Sequence, residues 1–176
     1  MKKRIFPTSR EESAKTRLFR WTMNAYPMYF GTGGKVLFIS ADWREVQVKL
    51  GLGLWTRNYV GTIFGGSFFA AADPFYMLML FHILGKEYII WDKAASIRFK
   101  RPGRKALYAH FLLDDSLTDD IRQRVAFHGE TEQQFVIQWK DLSGSVYCEI
   151  ERTCYIANKS FYEVKKGQRE KAAPKT

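Results

Sequence analysis

Between Tyr59 and Leu84 the chain reads YVGTIFGGSFFAAADPFYMLMLFHIL, and Asp73 carries its only formal charge. Burial would make such a carboxylate a stronger base near neutral pH, able to take a proton from water. Eight residues earlier stands the pair Gly65-Gly66, which reads as a helix start. The first N–H groups of a helix have no intrahelical acceptor and sit at the positive end of its dipole. Gly65 therefore offers a donor for a developing oxyanion, and the loss of such a donor typically slows a reaction by about 100- to 1000-fold. Without a side chain, glycine also lets a bulky substrate approach the backbone. Asn58 could orient the attacking water. Together these groups meet the two needs of hydrolysis at a carbonyl carbon. Each also has a plainer role: Asp73-Pro74 as a kink with the carboxylate tied to backbone N–H groups or to a buried Lys or Arg, Gly65-Gly66 as a tight packing point, and Asn58 as a loop cap.

Other reactive side chains are sparse. Asp92-Lys93 lies in a strand expected to be largely buried, where a satisfied ion pair is the simplest expectation. His82, His110 and His128 are scattered, no pair has metal-ligand spacing, and no metal or cofactor is expected. Cys148 and Cys154 fall six apart on one predicted strand. That separation is about 20 Å, whereas a disulfide needs Cα atoms within about 7 Å, so both are expected as reduced core residues, consistent with a cytoplasmic location.

The elements that would position these groups follow from periodicity and breakers. Residues 10–26 read as a peripheral amphipathic helix stopped before Pro27, and PMYFGTGG as a Gly-rich turn lacking the phosphate-loop pattern. KVLFIS (35–40) and EVQVKL (45–50) read as paired strands, the second with Val46, Val48 and Leu50 inward and Glu45, Gln47 and Lys49 outward. A long apolar helix over 65–84 ends before Gly85. Strands follow at 88–100, 106–113, 133–140 and 145–156, with a short helix at 116–127 capped by Ser116. The last two strands form a hairpin with Phe135, Ile137 and Trp139 on one face, and Val146, Cys148 and Ile150 on one face of the partner. The apolar helix is long enough to span a bilayer, but Asp73 near its middle and Pro74 beside it fit a buried core helix better. The expected fold is α+β, an antiparallel sheet wrapped around one helix. A second copy or an outer layer must cover what the sheet leaves exposed.

The 176 residues suit one domain and carry a net charge of +10. Eight of those charges lie in residues 1–20 and 163–176, which suggests solvated ends. No RNA-module or zinc-knuckle pattern accompanies them, so no nucleic-acid partner is expected. The N-terminus has no apolar h-region of a secretory signal. Three parts are expected: a basic helix and linker over 1–33, the α+β domain over 34–160 and a basic tail over 161–176.

The segment Asn58-Tyr-Val-Gly61-Thr-Ile-Phe64-Gly65-Gly66-Ser67-Phe-Phe-Ala-Ala-Ala-Asp73 resembles the motif of hotdog-fold acyl-CoA thioesterases of the phenylacetate-pathway type. In that motif Asn stands six residues before a His-Gly-Gly, and an acid nine after the His; here Phe64 stands at the His position. Ser96-Ile97-Arg98-Phe99-Lys100-Arg101-Pro102 resembles the family's central strand, and the likeness covers roughly 34–156. The wider pattern, with GTGGKV, VGTIFGGS and WDKAASIRFKRPG, resembles an uncharacterised hotdog branch, a domain-of-unknown-function group.

The resemblance implies a homodimer, or a dimer of dimers, that hydrolyses acyl thioesters. Asp73 of one subunit would act as base or nucleophile beside Gly65 of the other, with Asn58 at the site. Phe64, Gly66, Ser67 and Phe68 would meet the substrate, the acyl chain lying along the helix beside Phe68, Phe69 and Met77. Asp92 falls near a position where some members carry a polar site residue, and Arg101 or Arg104 would meet the coenzyme A phosphates. The same fold without turnover would make an acyl-chain or lipid binder.

Overall fold

The computed structural model describes residues 5–172. Six antiparallel strands form one sheet: β1 (Gly34–Ile39), β2 (Glu45–Leu50), β3 (Tyr88–Phe99), β4 (Leu107–Leu112), β5 (Glu130–Lys140) and β6 (Val146–Asn158), in the spatial order β1-β2-β4-β5-β6-β3. The helical segments α3 (Gly65–Ala72) and α4 (Phe75–Leu84) lie in its concave face. The expected long helix is thus interrupted at Asp73-Pro74, although both residues keep right-handed helical dihedrals. Proline has no N–H and its ring crowds the preceding turn. The carbonyls around this break are claimed by side chains: Tyr29 Oη donates to Ala71 O at 3.2 Å and Arg152 Nη1 to Asp73 O at 2.9 Å. Phe68, Ala71, Phe75, Met79 and Leu80 pack against Val48, Phe111, Ile137, Trp139 and Ile150. The helix passes a length-and-composition test for a membrane span, but it is the core helix of this sheet.

Two further helices, α1 (Ala14–Ala25) and α2 (Pro27–Phe30), flank β1. Ser13 caps α1, accepting from Thr16 N while the Thr16 hydroxyl accepts from Ser13 N. The PMYFGTGG segment expected as a simple turn begins with α2, because Pro27 suits a first helical turn. Helix α5 (Asp115–His128) crosses between β4 and β5 and ends at Gly129 with φ 81°. Its cap is Asp114, whose side chain accepts from Leu117 N at 2.7 Å, in place of the expected Ser116.

Three expectations about burial and exposure are corrected. Glu45 and Gln47 point away from the helix as predicted, yet both are buried, because residues 5–11 cross the back of the sheet. Ile5 and Phe6 donate their N–H groups to Gln47 Oε1 at 3.2 Å, and the Phe6 ring stacks on His110 at 4.4 Å. The ends are not loose tails where described: 5–11 is bonded down in this way, and residues from Lys159 to Ala172 form helix α6, anchored by Phe161 over Gly129. Strand β3, expected to be largely buried, is an edge strand paired, among the described residues, with β6 alone, and most of its side chains from Trp91 onward are exposed.

Candidate functional site

The loop from Gly51 to Phe64 delivers the chain from β2 to the start of α3. Asn58 closes it: Oδ1 accepts from Thr62 N and Nδ2 donates to Thr62 Oγ1, both at 2.9 Å, while the backbones of the two residues bond at 2.8 Å. Ile63 N donates to Gly103 O at 2.8 Å, which clips this loop to the β3–β4 turn. Gly103 permits that approach, since a Cβ there would lie 3.0 Å from Phe68 Cζ and 3.1 Å from Ile63 Cδ1. The result is a cleft of about 350 Å³ lined by Asn58, Thr62, Gly65, Phe68, Phe99 and Arg101, among others.

Gly65 is the first residue of α3, so its N–H has no acceptor within the helix. The Phe99 ring closes on it, 3.0 Å from where a Cβ would be. Phe64, half exposed, folds its ring over Gly66, where a Cβ would come within 2.4 Å of Cε1. Ser67 is buried in the first turn. Among the described residues Arg101 and Arg104 form no ion pair; both are exposed, and Arg101 lines the cleft whereas Arg104 does not. Neighbouring Lys100 is engaged by Glu149 at 3.0 Å. The four predicted residues Asn58, Gly65, Phe68 and Arg101 thus share one cleft.

Asp73 lies elsewhere. Eight helical residues separate it from Gly65, about 12 Å at the usual rise. Its side chain is 52% exposed, not buried as expected, and its Oδ1 accepts from Arg152 Nη2 at 2.9 Å. Arg152, 1% exposed, also donates from Nη1 to Asp92 Oδ2 at 2.5 Å, and its guanidinium sits 5.3 Å from the centre of the Phe69 ring. Among the described residues its Nε has no partner. Cys154 Sγ donates to Asp92 Oδ1 at 3.3 Å. Asp92 and Lys93 are therefore not each other's partners: Asp92 turns inward to Arg152, and Lys93 turns outward to Glu132. The register of β3 with β6 shifts between Asp92 and Ala94, and the two side chains leave the strand toward these separate partners rather than forming the ion pair expected from sequence.

The plainer reading of Asp73, a carboxylate tied to a buried Lys or Arg, is what the structure shows, but sequence reasoning did not single out Arg152 as that residue. The signal was present: Cys148, Ile150, Cys154 and Ile156 alternate inward along β6, and Arg152 occupies the same register. A cation buried on that face requires an acid to pair with it.

Other features mark no second centre. A larger hollow of about 550 Å³ on the outer face, lined by Trp91, Lys93, Glu130, Tyr155 and Lys165 among others, has its charges already matched as Lys93–Glu132 and Lys165–Glu130. Among the described residues no group of three or more His, Cys, Asp or Glu could hold a metal ion. Cys148 and Cys154 are free thiols in the core. Burial pushes the Cys148 thiol up to about 12, and burial together with Asp92 raises Cys154.

A sheet curled around a central helix, with a cleft at that helix's first turn, defines a hotdog-fold protein, and solved structures agree. A protein of unknown function and probable thioesterase from Pseudomonas aeruginosa superposes with TM-score 0.71 at 17% identity, over 84% of this chain and 98% of that one. A thioesterase from Haemophilus influenzae gives 0.60 at 12% identity, covering 86% and 96%. A putative thioesterase from Shewanella oneidensis gives 0.57 at 16% identity, covering 81% and 96%. No curated protein matches the chain. Residues 15–156 match the model of the family described as Domain of unknown function (DUF4442), and the chain belongs to that family.

Proposed function

We propose that this protein hydrolyses acyl thioesters, with coenzyme A as the thiol, and does so in the cytoplasm as a homodimer built on the hotdog unit of residues 34–160. The observation that carries the proposal is the single cleft joining Asn58, Phe68 and Arg101 to Gly65, whose N–H opens α3 with no acceptor inside the helix. In this mechanism the thioester carbonyl oxygen lies at Gly65 N–H. Asp73 of the opposing subunit takes a proton from water as the water oxygen bonds to the carbonyl carbon. Negative charge collects on the oxygen at Gly65, and the C–S bond then breaks as the proton held by Asp73 passes to the sulfur, releasing acid and thiol and restoring the carboxylate. A second copy is needed because Asp73 and Gly65 of one chain are about 12 Å apart. Strand β3 supplies the means of pairing: twelve residues long, open on one side, and carrying exposed Trp91 and Phe99. A long unpaired edge with apolar side chains is a template for another strand. Phe64, Gly66, Ser67 and Phe68 border the acyl group at the helix start, Phe69 and Met77 extend that wall, and Asp92 anchors the Asp73–Arg152 group. Arg101 and Arg104 meet the coenzyme A phosphates.

A second reading is favoured by the Arg152–Asp73 ion pair and by Phe64, which puts a ring where a polar group would serve catalysis. In it the same cleft binds an acyl chain or lipid without turnover. Thiol release from a panel of acyl-CoAs, measured for wild type and Asp73→Asn, separates the two. Hydrolysis that falls by about 100-fold or more in Asp73→Asn supports the enzyme. Unchanged hydrolysis removes Asp73 from the mechanism, and saturable acyl binding with no turnover establishes the binder.

A further inference from the structure

The flank of the molecule beside β1 exposes an unusual set of side chains. On α1, Leu18 and Trp21 are three residues apart and both point outward, while Thr16 and Met23 are buried. Met28 and Phe30 follow on α2, both more than half exposed. The loop after β2 adds Leu54 and Trp55, 90% and 76% exposed, and the Trp55 ring lies 6.5 Å from that of Phe30. Monomeric soluble proteins rarely leave such an apolar group in water without a use for it. Because β1 is the sheet edge opposite β3, strand pairing through β3 would not cover it.

Charge decides what does. From Ser13 to Ala41, and again from Val46 to Ala72, the chain has no Asp or Glu. Those stretches carry Lys15, Arg17, Lys35 and Arg57, all exposed. Indole rings favour the boundary between headgroups and acyl chains, and nearby Lys and Arg are drawn to an anionic lipid surface. A self-associating face would instead set these cations against each other.

We propose that α1, α2 and the Leu54–Trp55 loop form a docking face for anionic membrane surfaces. The chain lies on the bilayer without crossing it, with Trp21, Phe30, Leu54 and Trp55 in the interface and Lys15, Arg17 and Arg57 over the headgroups. This does not depend on catalysis, although the same loop continues to Asn58 and would hold the cleft close to the lipid.

The full-length protein should cosediment with vesicles of phosphatidylcholine containing about one-third phosphatidylglycerol, with a blue shift of tryptophan emission, and far less with phosphatidylcholine alone. Leu54→Ser/Trp55→Ser should weaken binding by about tenfold or more while thermal unfolding is unchanged, since both side chains are exposed. Lys15→Glu/Arg17→Glu should weaken it as well, and added salt should release the wild type. Absence of binding to anionic vesicles, or equal binding by wild type and Leu54→Ser/Trp55→Ser, would overturn the proposal. So would an oligomer that ignores vesicles and is dissociated by Leu54→Ser/Trp55→Ser, which would show that a second copy covers this face.

Discussion

Replacing Arg152 by methionine tests whether one buried guanidinium holds the centre of the molecule. Arg152 makes three contacts: Asp73 O and Asp73 Oδ1, each at 2.9 Å, and Asp92 Oδ2 at 2.5 Å. Charge-assisted bonds of this kind contribute about 1.5–3 kcal/mol each, and removing one member of a buried pair costs about 3–5 kcal/mol. Two features reduce that. The Asp73 and Asp92 side chains are 52% and 29% exposed, so both carboxylates can rehydrate once the arginine is gone. The unpaired Nε is a penalty that the substitution removes. Methionine also retains most of the packing over Phe69. The net expectation is a loss of about 2–4 kcal/mol, which for a chain of this size lowers Tm by roughly 5–15 °C. Urea unfolding at fixed protein concentration measures it. The acids should behave differently. Asp73→Asn or Asp92→Asn alone leaves Arg152 one carboxylate and should cost about 1–2 kcal/mol. The double variant strands a buried cation and should cost more than the sum of the two singles. Additive losses, or an Arg152→Met protein as stable as wild type, would refute this account.

Four further outcomes are expected. Burial pushes the Glu45 carboxyl up, but hydrogen bonds from Thr8, Gln47 and His110 outweigh this and hold it below the usual carboxylate range. A carboxyl lowered on folding contributes stability that is present above its unfolded value and lost as pH falls through the lowered one; the protection of the Ile5 and Phe6 amides, taken relative to the intrinsic exchange rate at each pH, should therefore fall on acidification, and Glu45→Gln should flatten that dependence. Gly34→Ala should destabilise by about 1–3 kcal/mol, because its Cβ would lie 2.7 Å from Tyr29 Oη and 2.9 Å from Ala71 Cβ in the core. Gly129→Ala should destabilise and detach α6, since a Cβ at this φ of 81° would meet the Phe161 ring at 2.3 Å; circular dichroism and limited proteolysis after Asn158 would detect it. Cys148 and Cys154, with thiols raised by burial, should resist Ellman's reagent in the native protein and react fully in denaturant.

Much of the fold was legible because single elements carry their own patterns. The alternation of Val46, Val48 and Leu50 placed β2, and Gly85, with φ 93°, stops the helix where expected. Alternation reports which face is apolar, but not what later covers the polar one. Gln47 is buried by Phe6, forty-one residues away in sequence, and no local pattern encodes that contact. The same limit applies to β3. WDKAASIRF reads as an interior strand from its composition, yet β3 lies at the edge of the sheet with most of its side chains exposed. At the site, the spacing of Asn58, Gly65 and Phe68 marked one cleft because these residues are nearly continuous in sequence. The Asp73–Arg152–Asp92 group spans eighty residues and three elements; a lone acid in an apolar helix pointed to a buried cation, but only the register of β6 could have identified it as Arg152.

The central claim is that one active site uses Gly65 of one chain and Asp73 of another, and subunit mixing tests it most directly. Gly65→Pro removes the N–H at a position where the helix tolerates proline, and Gly65→Ala, which retains the N–H, controls for crowding against Phe99. Gly65→Pro and Asp73→Asn should each be nearly inactive in acyl-CoA hydrolysis, while Gly65→Ala keeps most of its rate. Refolded together, the two inactive chains should recover about a quarter of the wild-type rate, since about half the dimers are hybrids and each hybrid has one intact site. No recovery, with hybrids shown to form by native mass spectrometry, would contradict the shared site.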